Sequence, residues 1–303
     1  MKTLGILAAP YKPQAAELAN RLVDLAQSRG VDVRLQEHCA REIGRADLSC
    51  DEDSLAQSEM LVTLSGDGGV LAAARAAAPY QTPILSIDLG RLGFLSAVRP
   101  HDMEAAFEAV LQGDYRIEER VMLDARVIRD QSEAAVHSAL RTPHSALEEG
   151  SIGLNDAVVA KSALARILHL SIFVEGDLVA SVRADGLVIS TPTGSTAYAL
   201  SAGGPIVHPD VPLFLLCPIC PHSLTQRPLV VAQDQRIEIL TEWQSEEVAP
   251  GELEAMLTVD GQIGVPLKSG DRVRVCRSEW KARLVRLPPD SFYNRLREKM
   301  RWG

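Results

Sequence analysis

The run Ser65-Gly66-Asp67-Gly68-Gly69 stands between Leu61-Val62-Thr63-Leu64, which reads as a buried strand, and Val70–Ala78, an alanine-rich helix former. Three glycines in this short turn let backbone amides converge without Cβ interference. The helix start adds partial positive charge, so phosphate oxygens are the natural ligand. Asp-Gly also makes hairpin turns, but the segment after this turn is a helix former and not a second strand. The Walker pattern G-x-x-x-x-G-K-[ST] is absent. Gly66 and Gly68 fit the G-x-G of a dinucleotide fingerprint, and Asp88 stands 20 residues after Gly68, where an acid would grip a ribose. Leu71, however, occupies the last glycine position, and a carboxylate inside the loop would repel a bound pyrophosphate. Asp67 among phosphate-binding amides makes more sense as a base facing a hydroxyl nucleophile beside the phosphate it attacks.

A second set of polar residues lies further on. Gly153-Leu154-Asn155-Asp156 precedes Arg183-Ala184-Asp185-Gly186, and Ser190 to Pro205 is dense in hydroxyls and glycines, with one tyrosine, Tyr198. Short donors and acceptors on a glycine turn suit a sugar or purine, although Ser/Thr/Gly clusters are also ordinary loops. No G-x-S-x-G is present, so Ser195 is not a nucleophile elbow. Cys217-Pro218-Ile219-Cys220 lacks a second ligand pair and reads as two buried small apolar residues. The histidines form no H-E-x-x-H or similar pattern, and no metal-ligand cluster appears.

These residues need elements to hold them. The first third alternates short apolar runs (Leu4–Ala8, Val31–Leu35, Met60–Leu64, Ile84–Ile87) with helical patterns (Ala15–Gln27, Val70–Ala78, Met103–Leu111), which predicts a parallel sheet with helices on its faces. From about Glu118 the segments become short, often alternating and separated by Gly, Asp or Pro: Met122–Ile128, Ile152–Val159, Ile167–Val174, Leu178–Val182, Leu187–Ser190, Arg236–Leu240, Met256–Val259, Arg272–Cys276 and Ala282–Leu287. That predicts a β-rich domain with hairpins such as Glu175-Gly176-Asp177. Between Asp130 and Gly150 the apolar pattern is lost, and a mobile hairpin tip or surface loop is expected. Pro289–Trp302 is helical again, with Phe292, Leu296 and Met300 docking one face and the charged residues solvated.

The composition sets limits. At 303 residues the chain is about two domains long, and 46% hydrophobic with 23% charged residues is the mixture of a globular protein. With 31 Lys and Arg against 40 Asp and Glu the net charge is −9, which opposes sequence-independent binding to nucleic acid. No apolar stretch approaches a bilayer span, and Leu4–Ala9 followed by Pro10-Tyr11-Lys12 suits a first buried strand better than a signal peptide. Five scattered cysteines form no disulfide framework and suit a reducing, cytoplasmic location.

In order along the chain, Gly66-Asp67-Gly68-Gly69, Asn155-Asp156, Arg183-Ala184-Asp185-Gly186 through Thr193-Gly194-Ser195-Thr196-Ala197-Tyr198 to Gly204, Pro221-His222-Ser223-Leu224 with Arg227-Pro228, and Val259-Asp260-Gly261-Gln262 resemble the NAD kinase family. The similarity runs from about Leu4 to Trp302. The resemblance implies an α/β Rossmann-like domain over residues 1–117, joined by the returning chain end 288–303, that binds ATP phosphates through Gly66, Gly68 and Gly69. It implies a β-sandwich-like domain over 118–287 for NAD binding and assembly, with NAD held between the two in a homodimer or homotetramer. Asp67 matches the family's proton acceptor for the adenosine ribose 2′-hydroxyl attacking the γ-phosphate of ATP, with Mg²⁺ carried mainly by the ATP phosphates. Further NAD contacts implied are Asp67, Gly68, Asn155, Asp156, Arg166, Arg183, Asp185, Thr193, Thr196, Ala197, Tyr198, Ser201 and Gln262, with Tyr198 offering a ring to stack. Neither nucleic acid nor membrane is an expected partner. Two other readings are a catalytically weak NAD(P)-binding sensor and a lipid kinase of the diacylglycerol type. The family usually has Gly-Gly-Asp-Gly-Thr, so Ser65 and Gly69 depart from its pattern, and Asp88 stands where Asn is common before Gly90-Arg91-Leu92-Gly93-Phe94-Leu95.

Overall fold

A computed structural model describes residues 1–10, 12–90, 93–129, 150–162, 167–223, 225–242 and 255–302. The stretch expected to form a mobile tip, 130–149, lies outside these residues, as do Arg91 and Arg166. The chain divides into two compact units, Met1–Arg120 with Trp280–Gly303, and Val121–Glu279.

The first unit runs β1 (Thr3–Ala8), α1 (Pro13–Ser28), β2 (Asp32–Gln36), α2 (Glu37–Glu42), β3 (Ser49–Cys50), α3 (Glu52–Ala56), β4 (Met60–Ser65), α4 (Asp67–Ala77), β5 (Pro83–Asp88) and α5 (Met103–Gln112). Its strands pair in parallel in the order β5-β4-β1-β2-β3. Side chains alternate across the strands. Met60, Val62 and Leu64 join a core with α1, α2 and α5, while Leu61, Thr63 and Ser65 point to the opposite face, on which α4 lies. That alternation carries Ser65 and, in register beside it on β5, Asp88 to the α4 side.

The second unit contains the remainder of β6 (Arg116–Ile128), then β7 (Ser151–Gly153), β8 (Asp156–Lys161), β9 (Leu168–Val174), β10 (Asp177–Ala184), β11 (Gly186–Ser190), α6 (Tyr198–Ser201), β12 (Leu213–Ile219), β13 (Leu229–Ala232), β14 (Ile237–Glu242), β15 (Ala255–Val259) and β16 (Ile263–Leu267), and enters β17 (Arg272–Arg286). Six antiparallel strands pair in the order β13-β12-β11-β8-β15-β16. A second layer, β10-β9-β14-β17, faces them across a shared core in which Leu170, Ile172, Ile239 and Val273 meet Val159, Leu187, Ile189 and Phe214. The outer face of the six-stranded sheet is covered in turn, since Val158, Val188 and Leu215 pack with Ala199 of α6 and Val207. The segment after Ser190, which ends β11, therefore packs over the outer face of this sheet, with Thr191, Thr193 and Ser195 themselves buried.

Several local expectations change. Arg272–Cys276 and Ala282–Leu287 belong to one 15-residue strand, β17, rather than two. Ile152–Val159 is broken at Leu154-Asn155 into β7 and β8. The terminal helix is α7 (Phe292–Met300), started by Ser291 Oγ accepting from the Asn294 amide at 3.2 Å. Its charged face is not wholly solvated, because Arg295 is buried beside Leu296.

Candidate active site

In the first unit β4 is buried along its whole length and ends at Ser65, Gly66 turns the chain in extended geometry, and α4 begins at Asp67. The helix thus starts three residues before the apolar pattern does, and Asp67 sits in its first turn, where amides have no intrahelical acceptor. Its half-buried carboxylate accepts three hydrogen bonds: Oδ2 from the Phe94 amide at 3.0 Å, and Oδ1 from the Leu95 amide at 3.2 Å and Ser96 Oγ at 3.3 Å. Gly93 makes this approach possible, since a Cβ there would coincide with the Asp67 carboxylate.

Asp88 is placed differently from a ribose-gripping acid. It is 2% exposed, and its carboxylate accepts from the amides of Gly90 at 2.9 Å and Gly93 at 2.6 Å. Its carboxylate is held by the loop it anchors rather than aimed at a ligand. The departures at Ser65 and Gly69 are one joint change: a Cβ on Gly69 would overlap the Ser65 side chain, which hydrogen-bonds the Gly66 carbonyl at 3.1 Å.

In the second unit the focus is the break between β7 and β8. Asp260, in the Asp260-Gly261 turn of the β15–β16 hairpin with both φ values positive, accepts from the amides of Leu154 (3.0 Å), Asn155 (2.7 Å) and Asp156 (3.2 Å). It also donates its own amide to the Asp156 carbonyl at 2.9 Å. From the other side, the Thr191 amide and Ser190 Oγ reach the Asn155 carbonyl at 2.8 and 3.3 Å, and Thr191 Oγ1 donates to Leu154 O at 2.6 Å. The backbone of Asn155 is clasped on both sides, leaving its half-buried side chain to present an amide. Asp156 is 5% exposed; burial, then the charge of Asp260, pushes its carboxyl up to about 7 from an ordinary 3.8.

The hydroxyl run separates by role. Ser195 is buried and structural, donating to the Pro192 carbonyl at 2.6 Å and accepting from the Val207 amide at 3.0 Å. Thr193 is buried, Thr196 and Ala197 are half-buried, and Thr196 Oγ1 donates to Thr193 O at 3.2 Å. Tyr198 opens α6 and is 45% exposed, and Ser201 is exposed at the other end of the helix.

Asn155, Asp156, Thr193, Thr196, Ala197 and Tyr198 therefore belong to one end of the β8–β11 ladder. Asp185 does not: with Ser190 paired to Asp156 and Gly186 to Ala160, it lies at the opposite end, roughly 16 Å of strand away. There it forms an ion pair with Lys161 at 2.9 Å, beyond the exposed Arg183 on β10. Gln262 is exposed just after the Asp260-Gly261 turn. Sequence reasoning passes over Asp260 and Lys161 as site residues. The Asp-Gly dipeptide between two apolar runs marks the turn that makes Asp260 an organiser, whereas nothing local marks Lys161. Among the described residues no group of three or more His, Cys, Asp or Glu side chains could hold a metal ion, and no helix is long and apolar enough to cross a membrane.

Comparisons with known proteins bear on what these arrangements serve. A family model described as the ATP-NAD kinase N-terminal domain matches residues 4–115, and one described as the ATP-NAD kinase C-terminal domain matches residues 154–287. An NAD kinase of Moorella thermoacetica is 42% identical over 303 residues, covering 100% of this chain and 90% of the relative. One from Heliobacterium modesticaldum is 41% identical with 100% of both chains covered. Yeast NADH kinase in its complex with NADH has a similar structure, with a TM-score of 0.87 at 26% identity over 100% of this chain and 88% of that one. An NAD kinase from Archaeoglobus fulgidus in complex with ATP shares the fold with a TM-score of 0.73 at 24% identity, covering 99% of both.

Proposed function

Since the chain belongs to the NAD kinase family, we propose that it transfers the γ-phosphoryl group of ATP to the adenosine ribose 2′-hydroxyl of NAD, giving NADP and ADP. The observation that carries the residue-level reading is the Asp67 carboxylate, set in a glycine turn at a helix start, part-exposed, and steadied by three donors that leave lone pairs for a further partner. As the hydroxyl oxygen bonds to the γ-phosphorus and the bridging oxygen leaves with ADP, Asp67 takes the hydroxyl proton. General-base catalysis of this kind contributes about 10²–10⁴ in rate. The turn at Gly66, Gly68 and Gly69 receives phosphate oxygens in this reading, through the amides of Gly66 and Gly68, since the Gly69 amide donates to the Gly66 carbonyl at 3.0 Å.

Mg²⁺ enters as part of the substrate, MgATP: Asp88 is taken up by the amides of Gly90 and Gly93, and Asp67 is kept for the hydroxyl. Asn155 and Asp156 bind ribose and nicotinamide, and Thr193, Thr196, Ala197, Tyr198 and Ser201 serve the adenosine. Gln262 and Arg166 add to these ligands, and Arg183 and Asp185, which stand at the opposite end of the β8–β11 ladder from Asn155, would meet a different part of the dinucleotide. In this reading the enzyme is cytoplasmic and assembles as a homodimer or homotetramer, which the exposed apolar side chains of the outer strand β10, Leu178 and Val179, support.

The assay is direct. Purified protein incubated with NAD, ATP and Mg²⁺ should produce NADP stoichiometrically with ADP. Dinucleotide binding without ATP-dependent product would instead make it a sensor.

A further inference from the structure

Residues 93–96 form neither helix nor strand, so their backbone is fixed by side chains that grip it. Asp88 holds Gly93, and Asp67 takes the amides of Phe94 and Leu95 and the hydroxyl of Ser96. The carbonyl of Leu95 is gripped from the other side, by Arg286 Nη1 at 2.8 Å and Ser86 Oγ at 3.2 Å. Arg286 lies near the end of β17 and is 0% exposed. Its Nε donates to Glu118 at 2.5 Å, and Glu118 also pairs with Arg120 at 2.8 Å and lies 3.7 Å from Arg295 of α7. Asp290 pairs with Arg295 and stands 3.9 Å from Arg286.

Burying a guanidinium is costly, and packing alone would be served by an apolar side chain. What an apolar side chain cannot do is donate in two fixed directions at once, to a carboxylate and to a main-chain carbonyl. We propose that Arg286, oriented by Glu118, is a positioning residue for the base: by fixing the Leu95 carbonyl it holds the 94–96 backbone whose donors aim Asp67. The proposal rests on the reading of Asp67 as proton acceptor.

The test is Arg286→Lys, which keeps the charge but can satisfy only one of the two acceptors, with Glu118 the stronger. The folded variant should lose about 10- to 100-fold in kcat, a share of the general-base contribution, while KM for NAD and for ATP changes by less than about threefold. In an Asp67→Asn background the same change should cost nothing further. Ser86→Ala, which removes the second donor to the same carbonyl, should show the same pattern more weakly and serves if Arg286→Lys does not fold. A folded variant with unchanged kcat overturns the proposal, as does a fall in kcat matched by a comparable rise in KM and a loss of thermal stability. If Asp67→Asn itself turns over normally, the base assignment falls. If only the Arg286 and Ser86 variants do, the base stands and the positioning role falls.

Discussion

Asp156 illustrates how one side chain can stand out in a motif while its chemistry stays illegible. Its place after Asn155 is visible in the motif, but its raised pKa comes from burial and from Asp260, which lies more than a hundred positions away in the chain. The folded state holds this proton more tightly than the unfolded chain. Its contribution is therefore fully present below about pH 4 and is lost as pH rises through about 7. Asp156→Asn removes that titration. Urea denaturation should show the variant's stability nearly flat over this window and above wild type at pH 8 by up to about 4 kcal/mol, while its KM for NAD rises. Curves that stay parallel from pH 5 to pH 8 contradict the raised pKa. Asp88 teaches the converse lesson: type and spacing suggest a ribose contact, yet its carboxylate is spent on loop amides.

Among the elements, those with a clean period are the most readable. The α1 and α5 stripes and the apolar runs of β1, β4 and β5 announce themselves. β12 is hidden by Pro218. The structure accommodates that proline because β13 pairs only with Leu213–Leu216, leaving Pro218 on a stretch bonded to β11 alone. β17 reads as two strands because Arg277 to Lys281 interrupt its alternation, though its backbone is continuous. Helical periodicity assigns Arg295 to solvent, and only tertiary pairing with Glu118 and Asp290 explains its burial. Burial alone would raise the Glu118 carboxyl, but Arg120, Arg286 and Arg295 together hold it down at about 2. The 93–96 loop carries the prediction at this scale. In Gly93→Ala the new methyl meets the far end of the Asp67 side chain, which can rotate away. Thermal stability should stay within about 1 kcal/mol, while kcat falls by about 10²-fold or more. A variant that keeps both its stability and its turnover would show that the carboxylate need not sit where it does.

At the scale of the whole molecule, the division into a parallel α/β unit and a β-sandwich is readable from the change of period near Glu118, since each period demands its own kind of core. The placement of site residues is not, because it depends on register: Ser190 opposite Asp156 gathers the hydroxyl run at the Asn155 end of the sheet and leaves Asp185 with Lys161 at the other. The proposed function makes turnover by the whole enzyme depend on a single carboxylate, Asp67, acting as proton acceptor in phosphoryl transfer to a sugar hydroxyl. Measuring NADP formation and NAD affinity together in Asp67→Asn tests that role most directly. If Asp67 is the base, turnover drops by about 10²-fold or more with the NAD dissociation constant little changed. Near-wild-type turnover in that variant would contradict it.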